Sequence, residues 1–143
     1  MENVRYGVIG IGNMGTSHSG WLAGGKIPGA TLTAVCDIDE KRRAWAKENL
    51  PEVAVFEDYK ELLDSSLVDA VIIAVPHYLH PEMAIESLKR NINTMVEKPA
   101  GVYASQIREM NAEAEKHPDV KFAMMFNQRT NPLYQKVKEI LDA

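Results

Sequence analysis

Three glycines near the N-terminus, Gly10, Gly12 and Gly15, follow the apolar run Val4-Arg5-Tyr6-Gly7-Val8-Ile9 at G-x-G-x-x-G spacing. The chemistry of such a turn belongs to the backbone rather than to side chains. Gly10 permits a tight bend, because a residue without Cβ tolerates positive φ. Gly12 lets the main chain approach a pyrophosphate, and Gly15 lets the next helix lie close against the sheet. The intervening residues Ile11, Asn13 and Met14 belong to the same turn. The helix that opens there offers unpaired N–H groups and partial positive charge to an anion. A second strand, Thr31 to Asp37, ends in an acid. Asp37 follows Gly15 by roughly 20 residues, the separation expected of a carboxylate that takes the adenosine ribose hydroxyls. Ile38 comes next along the same rim. The predicted ligand is NAD in preference to NADP, because the Asp37 carboxylate repels a 2′-phosphate. NADP stays open as an alternative, since Arg42 and Arg43 lie within a helical turn of Asp37. The competing reading is a glycine turn that binds nothing.

The elements that must position these residues are legible in the pattern. A helix is predicted from the glycine turn through Trp21-Leu22-Ala23, closed by Gly24-Gly25 and Pro28-Gly29. Asp39 reads as an N-cap for a helix over residues 40–49. Val53–Phe56 reads as a third strand and residues 58–63 as a short helix. Val68–Val75 is an almost unbroken β-branched run, which suits a central parallel strand covered on both faces. Helices are predicted over 81–90 and 105–116, and strands over Asn93–Glu97 and Val120–Phe126. Asn131-Pro132 opens a last helix whose apolar stripe is Leu133, Val137, Ile140 and Leu141. Six strands alternating with helices imply an α/β, doubly wound parallel sheet with right-handed crossovers and strand order 3-2-1-4-5-6. Ligands of such sheets bind beyond the carboxyl ends of the strands. Gly10, Asp37, Val75-Pro76-His77, Glu97-Lys98 and Asn127-Gln128-Arg129 all fall at predicted strand ends.

Composition bounds the partners. The chain has 143 residues, 45% apolar and 25% charged, as for a globular domain. Its length fits one domain, residues 1–143. A formal charge of −4 argues against a nucleic-acid partner. No run approaches the roughly 20 apolar residues of a membrane span, and no leader pattern is visible, so the expected location is cytoplasmic. The single cysteine, Cys36, falls inside a strand and suits a reducing compartment.

The sequence resembles the Gfo/Idh/MocA oxidoreductases. The likeness rests on Val8-Ile9-Gly10-Ile11-Gly12-Asn13-Met14-Gly15 with His18, on Asp37, on Pro76-His77-Tyr78-Leu79-His80, and on Glu97-Lys98-Pro99. It extends over essentially the whole chain. The resemblance implies a dehydrogenase that transfers hydride between a nicotinamide and a hydroxyl carbon of a sugar, cyclitol or related compound. It implies that Lys98 is catalytic, placed beside nicotinamide and substrate hydroxyl. An ammonium there hydrogen-bonds the alcohol oxygen and stabilises charge as the proton leaves. It also implies that Val75, Pro76, His77, His80, Glu97, Lys98 and Asn127 contact the cofactor. It further implies a second domain that carries most of the substrate pocket, which these residues do not encode, and a homo-oligomer at full length. The chain is therefore expected to be a piece of a longer protein.

Blander readings stand beside these. Lys98 could be a solvated lysine at a loop start, and Arg129 a surface arginine. His77 and His80 stand three apart, as in some metal pairs, but no further ligand lies near, so no metal is expected. His18 is expected to cap or pack near the first helix. The competing functions are a stand-alone dinucleotide-binding module without turnover and another nucleotide ligand, a flavin or S-adenosylmethionine, on the same fold.

Overall fold

The computed structural model describes residues 3–143 and contains one six-stranded sheet. Its strands are β1 (Val4–Ile9), β2 (Ala30–Cys36), β3 (Ala54–Phe56), β4 (Ala70–Ile73), β5 (Asn93–Val96) and β6 (Phe122–Met124). Every pairing is parallel, and the order is β3-β2-β1-β4-β5-β6, as the alternation predicts. The helices are α1 (Asn13–Ala23), α2 (Glu40–Asn49), α3 (Tyr59–Asp64), α4 (His80–Lys89), α5 (Ala104–Glu115) and α6 (Pro132–Asp142). Side-chain caps set three of the helix starts. Asp39 accepts from Lys41 N–H, Asp58 from Lys60 N–H and Asn131 from Leu133 N–H.

Period-2 alternation divides the core into two layers. Ile9, Ala34, Cys36, Val71, Ile73 and Val96 point to one face, where Leu62, Ala84 and Met110 of α3, α4 and α5 cover them. Val8, Val35 and Ile72 point to the other, against Leu22 of α1 and Ala46 of α2. Helices on both faces make the sheet doubly wound.

β4 is shorter than the β-branched run suggests. The expected strand reaches Val75, yet it ends at Ile73. Ala74 N–H still reaches the Ile9 carbonyl at 2.8 Å. Beyond it the neighbouring chain leaves the sheet through Gly10, at φ +85°, so Val75 has no strand to pair with. β6 also ends early, at Met124 rather than Phe126, because its one neighbour, β5, ends at Val96, the partner of Met124. The apolar stripe of α6 forms as predicted, but none of its residues is buried. No helix among the described residues is long and apolar enough to cross a membrane.

Candidate functional site

The glycine turn follows β1 and leads directly into α1. A Cβ on Gly10 would stand 2.7 Å from Val75 Cγ1 and 2.8 Å from the Ala74 carbonyl oxygen. One on Gly15 would stand 1.8 Å from the Gly10 carbonyl oxygen, so α1 can begin here only with glycine. Gly12 differs from both, because a Cβ there would meet nothing within 4 Å. The absent side chain at Gly12 leaves open space over the turn, not packing room. No side chain caps α1, so its first N–H groups have no such acceptor. Gly10 N–H is taken by the Cys36 carbonyl at 2.8 Å, which ties the turn to the end of β2.

Asp37 sits at that end. Its Oδ2 accepts the Ile11 N–H at 2.8 Å and its Oδ1 accepts the Asp39 N–H at 2.9 Å. Each oxygen retains a further lone pair for a ligand hydroxyl. Arg43 is committed elsewhere. It donates to the carbonyls of Asp37 at 3.0 Å and Ile38 at 2.8 Å, and pairs with the Glu57 carboxylate at 2.9 Å. Arg42 reaches the Ile11 carbonyl at 3.4 Å. Burial, reinforced by the Asp37 charge, pushes the Cys36 thiol up to about 12. The thiol donates to the Glu57 carbonyl at 3.3 Å and is no nucleophile at neutral pH.

A cleft of about 560 Å³ opens beside this turn. It brings together Gly10, Gly12, Asp37, Ile38, Val75 and Pro76 of the residues singled out by sequence. Its remaining wall includes Tyr59, Leu79 and Met83, which sequence reasoning did not single out as site residues. Tyr59 donates its hydroxyl to Glu82 at 3.0 Å, and burial together with that carboxylate raises its pKa. Largely apolar walls, with the Asp37 carboxylate held beside the glycine turn, suit a purine ring and its ribose.

The other predicted residues lie outside the cleft. Ile11 is buried beneath the turn, Gly15 is buried against Gly10, and Asn13 and Met14 are exposed on the first turn of α1. His77 is exposed in the 3-10 turn His77–Leu79 before α4. Lys98 is exposed just past β5, and Asn127 is exposed just past β6, where Arg129 lies over the Phe126 ring at 4.8 Å. His80 and Glu97 sit below the edge rather than on it. His80 is 1% exposed, with Nδ1 2.8 Å from the Pro99 carbonyl and Nε2 2.8 Å from the Val75 carbonyl. Neither ring nitrogen is left for a metal or a ligand. Glu97 is 6% exposed; its Oε1 accepts His18 Nε2–H at 2.7 Å and its Oε2 the Lys98 N–H at 3.1 Å. The Lys98-Pro99 bond is cis. His18 was expected only to cap or pack. It does pack edge-on against Trp21, with ring centroids 5.5 Å apart, and it also makes this bond across the fold.

An uncapped helix start, open space at Gly12 and an acid held at the end of β2 define a dinucleotide-binding α/β domain. Residues 4–126 match the oxidoreductase family with an NAD-binding Rossmann fold, Gfo/Idh/MocA. The chain belongs to that family. It is 36% identical over 139 residues to the inositol 2-dehydrogenase of Rubrobacter xylanophilus, matching 96% of this chain and 39% of that protein. The crystal structure of myo-inositol 2-dehydrogenase from Lactobacillus plantarum is similar at TM-score 0.91 and 33% identity, covering 99% of this chain and 41% of that one. Scyllo-inositol dehydrogenase from Lactobacillus casei, solved with bound NAD(H) and scyllo-inositol, is similar at TM-score 0.93 and 28% identity, with the same coverage. The chain thus spans about two fifths of the length of these relatives.

Proposed function

We propose that this chain is the cofactor half of an NAD-dependent dehydrogenase acting on a hydroxyl carbon of a cyclitol, sugar or related compound. The observation that carries the reading is Lys98, exposed past the end of β5 on a turn anchored through Glu97 and Pro99. That end of the sheet is also where the glycine turn and Asp37 lie. The inositols named for the relatives supply the substrate class.

The residues divide the work between binding and charge stabilisation. The first N–H groups of α1, with the space at Gly12, receive a pyrophosphate. Asp37 accepts hydrogen bonds from ribose hydroxyls. Bound nicotinamide supplies the hydride acceptor. Lys98 Nζ hydrogen-bonds the substrate oxygen and stabilises the negative charge that grows on it as its proton leaves. His80 is buried with both ring nitrogens against backbone carbonyls, so it does not serve as the proton acceptor. That acceptor, and the walls that hold the substrate carbon, come from outside these residues. The chain by itself therefore binds dinucleotide without turnover. A cytoplasmic location suits the buried, unpaired Cys36.

Calorimetric titration of NAD into the chain tests the binding half, and absence of saturable binding overturns it. Lys98→Ala in the assembled dehydrogenase tests the catalytic half.

A further inference from the structure

Glu97 is a largely buried carboxylate, and such a group is costly to bury unless it is paired. Its two oxygens have separate partners. Oε2 takes the N–H of the very next residue, Lys98, at 3.1 Å. Oε1 takes His18 Nε2–H at 2.7 Å, from a residue 79 positions away in the chain. The first bond closes a short ring that fixes the backbone from which Lys98 projects. The second decides which way the Glu97 side chain points, and so whether the first can form. On the far side of Lys98, the Pro99 carbonyl is already held by His80. His18 itself lies on the inner face of α1, the helix that begins at the glycine turn, and is 5% exposed.

We propose that His18 is a positioning residue for Lys98, joining the helix that opens at the glycine turn to the backbone that carries the lysine. The proposal rests on the reading of Lys98 as the group that meets the substrate hydroxyl. His18 touches no reacting atom. It holds Glu97, and Glu97 holds the Lys98 N–H.

Amide hydrogen exchange followed by NMR on the 143-residue chain tests this without any ligand. Lys98 is otherwise exposed, so protection of its amide reports the Glu97 bond. His18→Phe should lower Lys98 protection by about tenfold or more while the amides of Val8, Val35 and Ile72 keep theirs. His18→Gln, whose amide nitrogen can donate from nearly the place of Nε2, should restore it. Glu97→Gln offers a route that leaves α1 untouched, and it should loosen the same amide. Unchanged Lys98 protection in His18→Phe overturns the proposal. So does a loss spread evenly over the sheet, which would mean that His18 serves stability alone. A second measurement separates this from the functional reading. In the assembled dehydrogenase, Lys98→Ala should lower kcat roughly 10²-fold in the wild-type background and far less in His18→Phe, a non-additivity that marks coupled residues. If NADH fails to bind the wild type at all, the dinucleotide reading falls, while the exchange result still decides the role of His18.

Discussion

Asp37 Oδ2 accepts the N–H of Ile11 at 2.8 Å, so the acid at the end of β2 is held over the glycine turn that ends β1. The bond links the two ends of the candidate dinucleotide site, the pyrophosphate cradle and the ribose acceptor. It holds the carboxylate in place before any ligand arrives.

Cofactor choice follows from that placement. The Asp37 carboxylate repels a 2′-phosphate, and the Arg43 guanidinium is already held by Glu57 and two carbonyls. NAD should bind the chain more tightly than NADP in calorimetric titrations. Asp37→Ala should weaken NAD by roughly tenfold, as for loss of hydrogen bonds to a charged group, and narrow the gap to NADP. Tighter NADP binding by the wild-type chain would contradict the assignment.

The three glycines should respond differently to alanine. At Gly12 the backbone φ is −69° and a Cβ meets nothing, so Gly12→Ala should leave the thermal midpoint unchanged or raise it. The same methyl would occupy the space read here as the pyrophosphate's, so NAD affinity should collapse. Gly15→Ala drives a Cβ into the Gly10 carbonyl and should destabilise the fold by about 1–3 kcal/mol or more. Thermal melts beside titrations distinguish the two. Equal losses of stability would show that Gly12 is a packing residue.

Lys98→Ala in the assembled dehydrogenase should lower kcat by roughly 10²-fold or more, with little loss of NAD affinity. Steady-state kinetics with a cyclitol panel measures it. An unchanged kcat would make Lys98 a surface lysine. The 143-residue chain alone should not reduce NAD with any polyol, because positioning of the substrate carbon, worth several kcal/mol, is missing.

Cys36 should resist a thiol reagent at pH 8 in the folded chain and react fully once the chain is unfolded, because burial holds the thiol neutral. The folded pKa, pushed up to about 12, lies above that of an unfolded cysteine. This contribution to stability is therefore complete below the unfolded value, and it fades as pH climbs from there toward 12. Denaturation midpoints measured from pH 8 upward should fall, and Cys36→Ser should flatten that fall. Rapid labelling of the native chain would place the thiol at the surface.

Local pattern was enough for the strand order, the helix starts at Asp39, Asp58 and Asn131, and the glycine turn with its acid. Each is written in a few adjacent residues: alternation of apolar side chains, a capping oxygen, a glycine where a Cβ cannot fit. Where β4 stops was decided by its neighbour, since Val75 loses its partner only because Gly10 turns the adjacent strand out of the sheet. Tyr59, Leu79 and Met83 share one wall because α3, the 3-10 turn after β4, and α4 meet there, and no spacing in the chain announces that meeting. The buried roles of His80 and Glu97 depend on tertiary contact in the same way. A side chain's type sets what it can donate or accept, but its partner is whatever the fold brings within about 3 Å. His18 and Glu97 are 79 residues apart in the chain and 2.7 Å apart in the molecule.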